Sequence, residues 1–123
     1  MIISFGWTAQ YLPPNGTKDT TRRQWKSRTL ASWQKAWDEG RLVHDAVDKN
    51  LAYGGKRIGR ITLLERPYLE PLSQMPQEDL VREGGMCDTV PGFIDAYFDG
   101  NADQEVAVVR FSFEVEDYRN LCK

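Results

Sequence analysis

Gly16-Thr17-Lys18-Asp19-Thr20-Thr21-Arg22-Arg23 follows the break Pro13-Pro14-Asn15 and gathers a lysine, threonines and two arginines within eight residues. A strand starting near Thr21 sends alternate side chains to opposite faces. Thr21 and Arg23 then share one face, with Lys18 at its mouth. A hydroxyl, an amine and a guanidinium gathered there suit an anionic or carbonyl-bearing ligand. The same residues also fit a turn whose basic side chains are simply solvated, and local chemistry leaves both readings open.

Working outward, Ile2 to Phe5 reads as a first strand closed by Gly6, and Trp7 to Leu12 as a short helix or turn. The strand of the opening stretch is expected to run to about Lys26. Leu30, Trp33, Ala36 and Trp37 then recur at helical spacing, with Thr29 as N-cap and Gly40 as stop. Trp33 and Trp37 lie four residues apart on one helix face, which suits core packing. Stacking of one of them, or of Trp25, on a nucleobase is the functional alternative. Arg41 to Val47 and Ile58 to Leu64 read as strands separated by a turn-rich loop from Asp48 through Asn50 to Gly55.

Pro67 and Pro71 bracket a broken, edge-like segment. Pro76 opens a short helix through Glu83, ended by Gly84-Gly85. The clearest helix follows: Val90, Phe93, Ile94, Tyr97 and Phe98 keep one face, between a Thr89 cap and a Gly100 stop. Val109, Phe111, Phe113 and Val115 alternate with Arg110, Ser112, Glu114 and Glu116, as a half-buried antiparallel strand does. Short strands interrupted by helices predict an α+β, mainly β fold. A small, partly open barrel with two to four flanking helices fits the pattern.

The chain of 123 residues is 41% apolar and 28% charged, which predicts one soluble domain over 1–123. It has no apolar run of membrane-spanning length, and Met1–Phe5 is too short for a signal peptide, so no membrane role is expected and the location is read as cytoplasmic. Cys87 and Cys122 lack metal-site spacing, and the lone histidine, His44, sits on an expected strand. No metal and no cofactor are predicted. The Cys87–Cys122 pair is free to cross-link in principle, but reduced thiols are the simpler reading.

A net charge of −2 argues against a general nucleic-acid coat protein. The charges are nevertheless uneven. Lys18, Arg22, Arg23, Lys26 and Arg28 crowd residues 16–28, Lys56, Arg57, Arg60 and Arg66 crowd 54–66, and the chain end is acidic through Asp117. Either the two basic blocks form one phosphate-attracting face or they are two separate solvated surfaces.

Gly16-x-Lys18-x-x-Thr21-x-Arg23 resembles the G-x-K-x-x-T-x-R signature of the ASCH domain, a small β-barrel related to the PUA fold of RNA-modification proteins. Gly54-Gly55-Lys56-Arg57-Ile58-Gly59 looks like the entry to a barrel strand in that family, and Glu83-Gly84-Gly85-Met86 resembles its Glu-Gly element. The three blocks stand in the family's order and span most of the chain. The resemblance implies a PUA-like barrel with RNA or a nucleoside as ligand. Some members are amidohydrolases that remove the acetyl group from acetylcytidine, using residues that match Lys18, Thr21 and Glu83. Gly16, Arg22, Arg23, Trp25, Lys56 and Arg57 are the corresponding candidates for substrate or RNA binding. A non-catalytic RNA-binding module, stacking bases on Trp25 or Tyr53, and a metal-assisted ribonuclease are the alternatives. Two features depart from the amidohydrolase members: the helix-bearing insertion over 27–40, and Gly40-Arg41 where a Gly-Asp turn is usual.

Chemically, amide hydrolysis needs a nucleophile, a proton acceptor and an oxyanion holder. Thr21 supplies a hydroxyl or positions a water. Lys18 acts as base only if burial and the neighbouring arginines lower its pKa, whereas a carboxylate at Glu83 favours the charged amine. A charged Lys18 would serve as a clamp for an oxyanion or phosphate.

Overall fold

The computed structural model describes residues 1–49 and 51–116; Asn50, Asp117 and Cys122 lie outside the described residues. In chain order the elements are β1 (Ile2–Ser4), a 3-10 turn over Gly6–Tyr11, β2 (Thr20–Arg23), α1 (Ser27–Asp38) and β3 (Val43–Val47). They continue with β4 (Arg57–Leu63), β5 (Tyr68–Pro71), α2 (Asp79–Arg82), α3 (Val90–Phe98) and β6 (Glu105–Val115). Together they form a mixed α+β protein whose sheet curls into a half-barrel, in the order β1-β3-β4-β6-β2, with β5 also on β6.

The 11-residue β6 explains the curl. Its second half pairs with β4 and its first half pairs with β5, while β2 takes the opposite edge through Thr20↔Arg110 to Arg23↔Ala107. The chain between β4 and β5 has four residues, Leu64 to Pro67, where β6 has only Val109 and Arg110 between the paired positions. Such an excess is a bulge, and it bends the pair. The Pro67–Pro71 segment is therefore a true strand, and it has a single partner as an edge position requires.

Two hydrophobic cores sit on the two faces of β6. Val109 and Phe111 join Ile3, Phe5, Leu12, Trp33, Ile61 and Leu63 on the concave side. Val106 joins Leu72, Met75, Leu80, Phe93, Ile94 and Phe98, beneath α2 and α3. Residues 106 to 109 are buried on both faces, because strands flank this half of β6 on both edges and a core lies on each side; the expected alternation holds from Val109 to Phe113, but Val115, at the strand's end, is exposed.

Two helix boundaries are corrected. α1 starts at Ser27, and Thr29 lies inside its first turn; the N-cap is Lys26, extended at φ −66°, with no side-chain cap. α2 is one turn long, so Glu83 is its C-cap residue. β2 ends at Arg23, three residues short of Lys26, although its partner β6 runs two residues beyond the last pair, to Glu105. α3 has the expected limits, with the Thr89 hydroxyl accepting from the Gly92 N–H. Among the described residues, no helix is long and apolar enough to cross a membrane.

Candidate functional site

Three hydrogen bonds fasten the opening stretch to α2. The Thr17 hydroxyl donates to Val81 O at 2.7 Å, Asp19 N donates to Arg82 O at 2.8 Å, and Arg82 Nε returns to Asp19 Oδ1 at 2.9 Å. Lys18 and Glu83 are left side by side between them. Lys18 Nζ donates to Glu83 Oε2 at 3.0 Å, to Glu83 O at 3.1 Å and to Thr20 O at 3.0 Å. An ammonium has three protons, and all three find oxygens. The last acceptor follows from the sheet: Asp19 O accepts from Phe111 N in β6, so the next carbonyl, that of Thr20, faces the free edge of β2.

Alternation along β2 sorts the rest. Thr21 and Arg23 lie on the concave face and touch, with Arg23 Nε donating to Thr21 Oγ1 at 2.9 Å. The Arg23 guanidinium also lies over the Phe5 ring, 5.4 Å from its centroid. Phe5 follows β1, so the two outer strands of the open sheet approach one another here. Among the described residues, no carboxylate lies within ion-pair distance of Arg23.

Arg22 goes to the other face. Its side chain is fully buried and meets Asp79 Oδ2 at 2.6 Å, Glu70 Oε1 at 2.9 Å and Glu83 Oε1 at 3.4 Å. Arg110, two residues along β6 from its cross-strand neighbour Val108, reaches the same Asp79 oxygen at 2.9 Å and donates to the Tyr68 hydroxyl and the Thr20 hydroxyl. Arg22 Nε is buried without a hydrogen-bond partner. This ionic network holds β2, β5, β6 and α2 together, and Arg22 serves it as a positioning residue rather than presenting a charge to solvent.

The electrostatics follow from burial. Desolvation is the largest influence on Lys18 and lowers its pKa below that of a free lysine, with Arg23 and Arg22 adding to the effect against the opposing pull of Glu83. Burial also lowers Arg23, with the Glu83 charge opposing. Asp79 is the reverse case: burial pushes its pKa up, but the hydrogen bonds and charges of Arg110 and Arg22 outweigh that and hold it below the ordinary aspartate value.

A cavity of about 380 Å³ opens at this place, between the outer strands and beneath α3. Its polar lining comes from Lys18, Thr21, Arg22, Arg23, Gln24 and Glu83, and its apolar lining includes Phe5, Trp7, Phe93, Tyr97 and Phe98. Ligand cavities are commonly of this size and mixed character.

Of the residues singled out in the sequence, Lys18, Thr21, Arg22, Arg23 and Glu83 are brought together. Five others are not. Gly16 lies against the Tyr11 backbone, where a Cβ would collide with the Tyr11 carbonyl, so it shapes the approach to Lys18 and takes no place in the lining. Trp25 stacks on Trp33, at 5.4 Å between ring centroids and 15° between planes, and packs on the concave core. Lys56 and Arg57 are exposed at the start of β4, away from the cavity lining, and Arg57 pairs with Glu116 at 2.5 Å. His44 is buried, donates from Nε2 to Arg41 O at 2.8 Å, and packs edge-on to Trp33. Sequence reasoning missed Trp7, Asp79 and Arg110. The signal for Arg110 was the β2–β6 register, which the sequence alone does not supply.

No family model, curated protein or solved structure matches this chain.

Proposed function

We propose that this chain is a divergent ASCH-like, PUA-like domain that takes a modified nucleoside into the cavity and hydrolyses an amide on its base, as in deacetylation of acetylcytidine. One observation carries the reading: Lys18, Thr21, Arg23 and Glu83 line a single cavity of nucleoside size. Lys56 and Arg57 lie outside it, which favours a nucleoside-sized ligand over a long RNA strand tracked by a basic groove.

In this reading each group has a role. Glu83 takes a proton from a water, whose oxygen attacks the acyl carbon. The oxyanion that forms is met by the Arg23 guanidinium and the Thr21 hydroxyl, which accepts from Arg23 and so keeps its own proton free to donate. The carbon–nitrogen bond breaks as the Lys18 ammonium protonates the departing amine. Burial, by lowering the Lys18 pKa, makes it a better acid for this step. The proton held by Glu83 then returns to Lys18 across their 3.0 Å contact. Water and amide are consumed, and carboxylic acid and amine are released.

The test is incubation with N4-acetylcytidine, with cytidine and acetate resolved by chromatography. Turnover that is lost in Lys18→Met and Thr21→Val, both still folded by circular dichroism, supports the assignment. Turnover that survives both variants rejects it.

A further inference from the structure

The cavity has two unlike walls. The polar one holds Lys18, Thr21, Arg23 and Glu83, while the other is a continuous run of aromatic rings. Trp7 stacks on Tyr97, with centroids 5.8 Å apart and planes 29° apart; Tyr97 meets Phe93 at 5.3 Å, and Phe93 meets Phe98 at 5.8 Å. Tyr11 braces Trp7 edge-on from behind, at 6.0 Å. The run begins at the cavity lip and ends in the core beneath α3.

Its outermost member is the unusual one. Trp7 is 57% exposed, although tryptophan is on average highly buried and each apolar Å² left in water forgoes roughly 25 cal/mol. Packing of the fold does not account for its position, since it belongs to neither hydrophobic core. The 3-10 turn over Gly6–Tyr11, entered through Gly6 at φ +56°, nevertheless holds it at the lip, two residues after Phe5.

We infer that Trp7 and Tyr97 form a ring-recognition subsite, on which a flat heteroaromatic base stacks while its polar edge and exocyclic acyl group face Arg23 and Thr21. The inference rests on the nucleoside reading above and narrows it. The substrate class is a single unpaired base with its π-face free, and amide-bearing sugars and aliphatic peptides are excluded for want of a flat π-face. Stacking tolerates any base, so the aromatic wall selects flat rings, and the choice among bases belongs to the polar wall.

The experiment is calorimetric titration, with tryptophan emission recorded in parallel, using cytidine, N4-acetylcytidine and N-acetylglucosamine as probes. Wild type, Trp7→Phe, Trp7→Ala and Tyr97→Leu are compared, with thermal unfolding as the control for folding. The expected result is binding of both nucleosides with quenched emission and no binding of the sugar. Trp7→Ala should weaken nucleoside affinity by on the order of tenfold or more, and Trp7→Phe should stay within about threefold of wild type. Nucleoside affinity unchanged in Trp7→Ala and Tyr97→Leu overturns the subsite and leaves the nucleoside reading standing. Equal affinity for N-acetylglucosamine overturns the ring requirement. Binding of none of the three probes overturns both readings.

Discussion

Lys18 Nζ lies 3.0 Å from Glu83 Oε2, although 65 residues separate them in the chain. Both are almost wholly buried, so each charge depends on the other. A buried ion pair of this kind contributes little net stability against an apolar substitute, but it penalises the loss of one member heavily. The contact therefore joins stability to the proposed chemistry.

Glu83→Gln keeps the shape and one acceptor, and is expected to destabilise the fold by about 1–3 kcal/mol. Glu83→Ala strands Lys18 and removes a partner of Arg22, and should cost about 3–5 kcal/mol. Urea unfolding measures both. Where the proteins remain folded, hydrolysis should fall by on the order of 10²–10⁴-fold in each, since both lack the proton acceptor.

The pH dependence has a defined sign. The role given to Lys18 needs its ammonium form, and burial lowers the pKa of that group. As pH rises through the lowered value, the proton is lost and hydrolysis falls, beginning below the pH at which a free lysine deprotonates. In the stability balance, a lysine with a depressed folded pKa contributes stability that is present above its unfolded pKa and lost as pH falls through the folded one. A rate profile measured alongside thermal unfolding separates the two: activity declines on the alkaline side while the folded state does not lose the Lys18 contribution there. An activity plateau reaching past the free-lysine pKa would contradict the ammonium role.

Asp79 governs the acid side. Arg110 and Arg22 hold its pKa below the ordinary value in spite of burial. Its contribution is therefore complete above the unfolded aspartate pKa and disappears as pH falls through the depressed folded value. Asp79→Asn leaves two buried guanidinium groups short of a charge and should cost about 3–5 kcal/mol at neutral pH. The variant should also lose part of the wild-type steepness of stability against pH below the aspartate range, as read from unfolding midpoints across that range.

Arg23 and Arg57 are predicted to behave oppositely. Arg23→Ala removes from the cavity a guanidinium that makes no ion pair among the described residues, and should weaken binding of N4-acetylcytidine by roughly 10- to 100-fold. Arg57→Ala breaks an exposed, solvent-screened pair with Glu116, should leave stability close to that of the wild type, and should leave affinity unchanged. Lys56→Ala is expected to match it. Titrations of the three variants at one salt concentration decide the matter, and a loss of affinity in the Arg57 or Lys56 variants would place the ligand outside the cavity.

Elements with a strong local period were legible in the sequence. The limits of α3 follow from the Val90, Phe93, Ile94, Tyr97 and Phe98 spacing and the Thr89 cap, because an amphipathic face and a capping hydroxyl act within a few residues of themselves. The shared face of Thr21 and Arg23 likewise needs only the two-residue repeat of a strand. Double burial of residues 106 to 109 was not legible, since it depends on two other strands and two other cores.

The sequence by itself therefore determined the alternating and helical faces, the stops at glycine and proline, and the residue types available for chemistry. Tertiary structure alone decided which of those residues meet. Arg22 was turned into a carboxylate-lined interior, Lys56 and Arg57 were left outside, Trp7 was set at the cavity lip, and Lys18 was joined to Glu83. The physical reason is range: periodicity and capping are local, whereas these placements depend on the register of β2 against β6 and on three hydrogen bonds between residues 17–19 and 81–82.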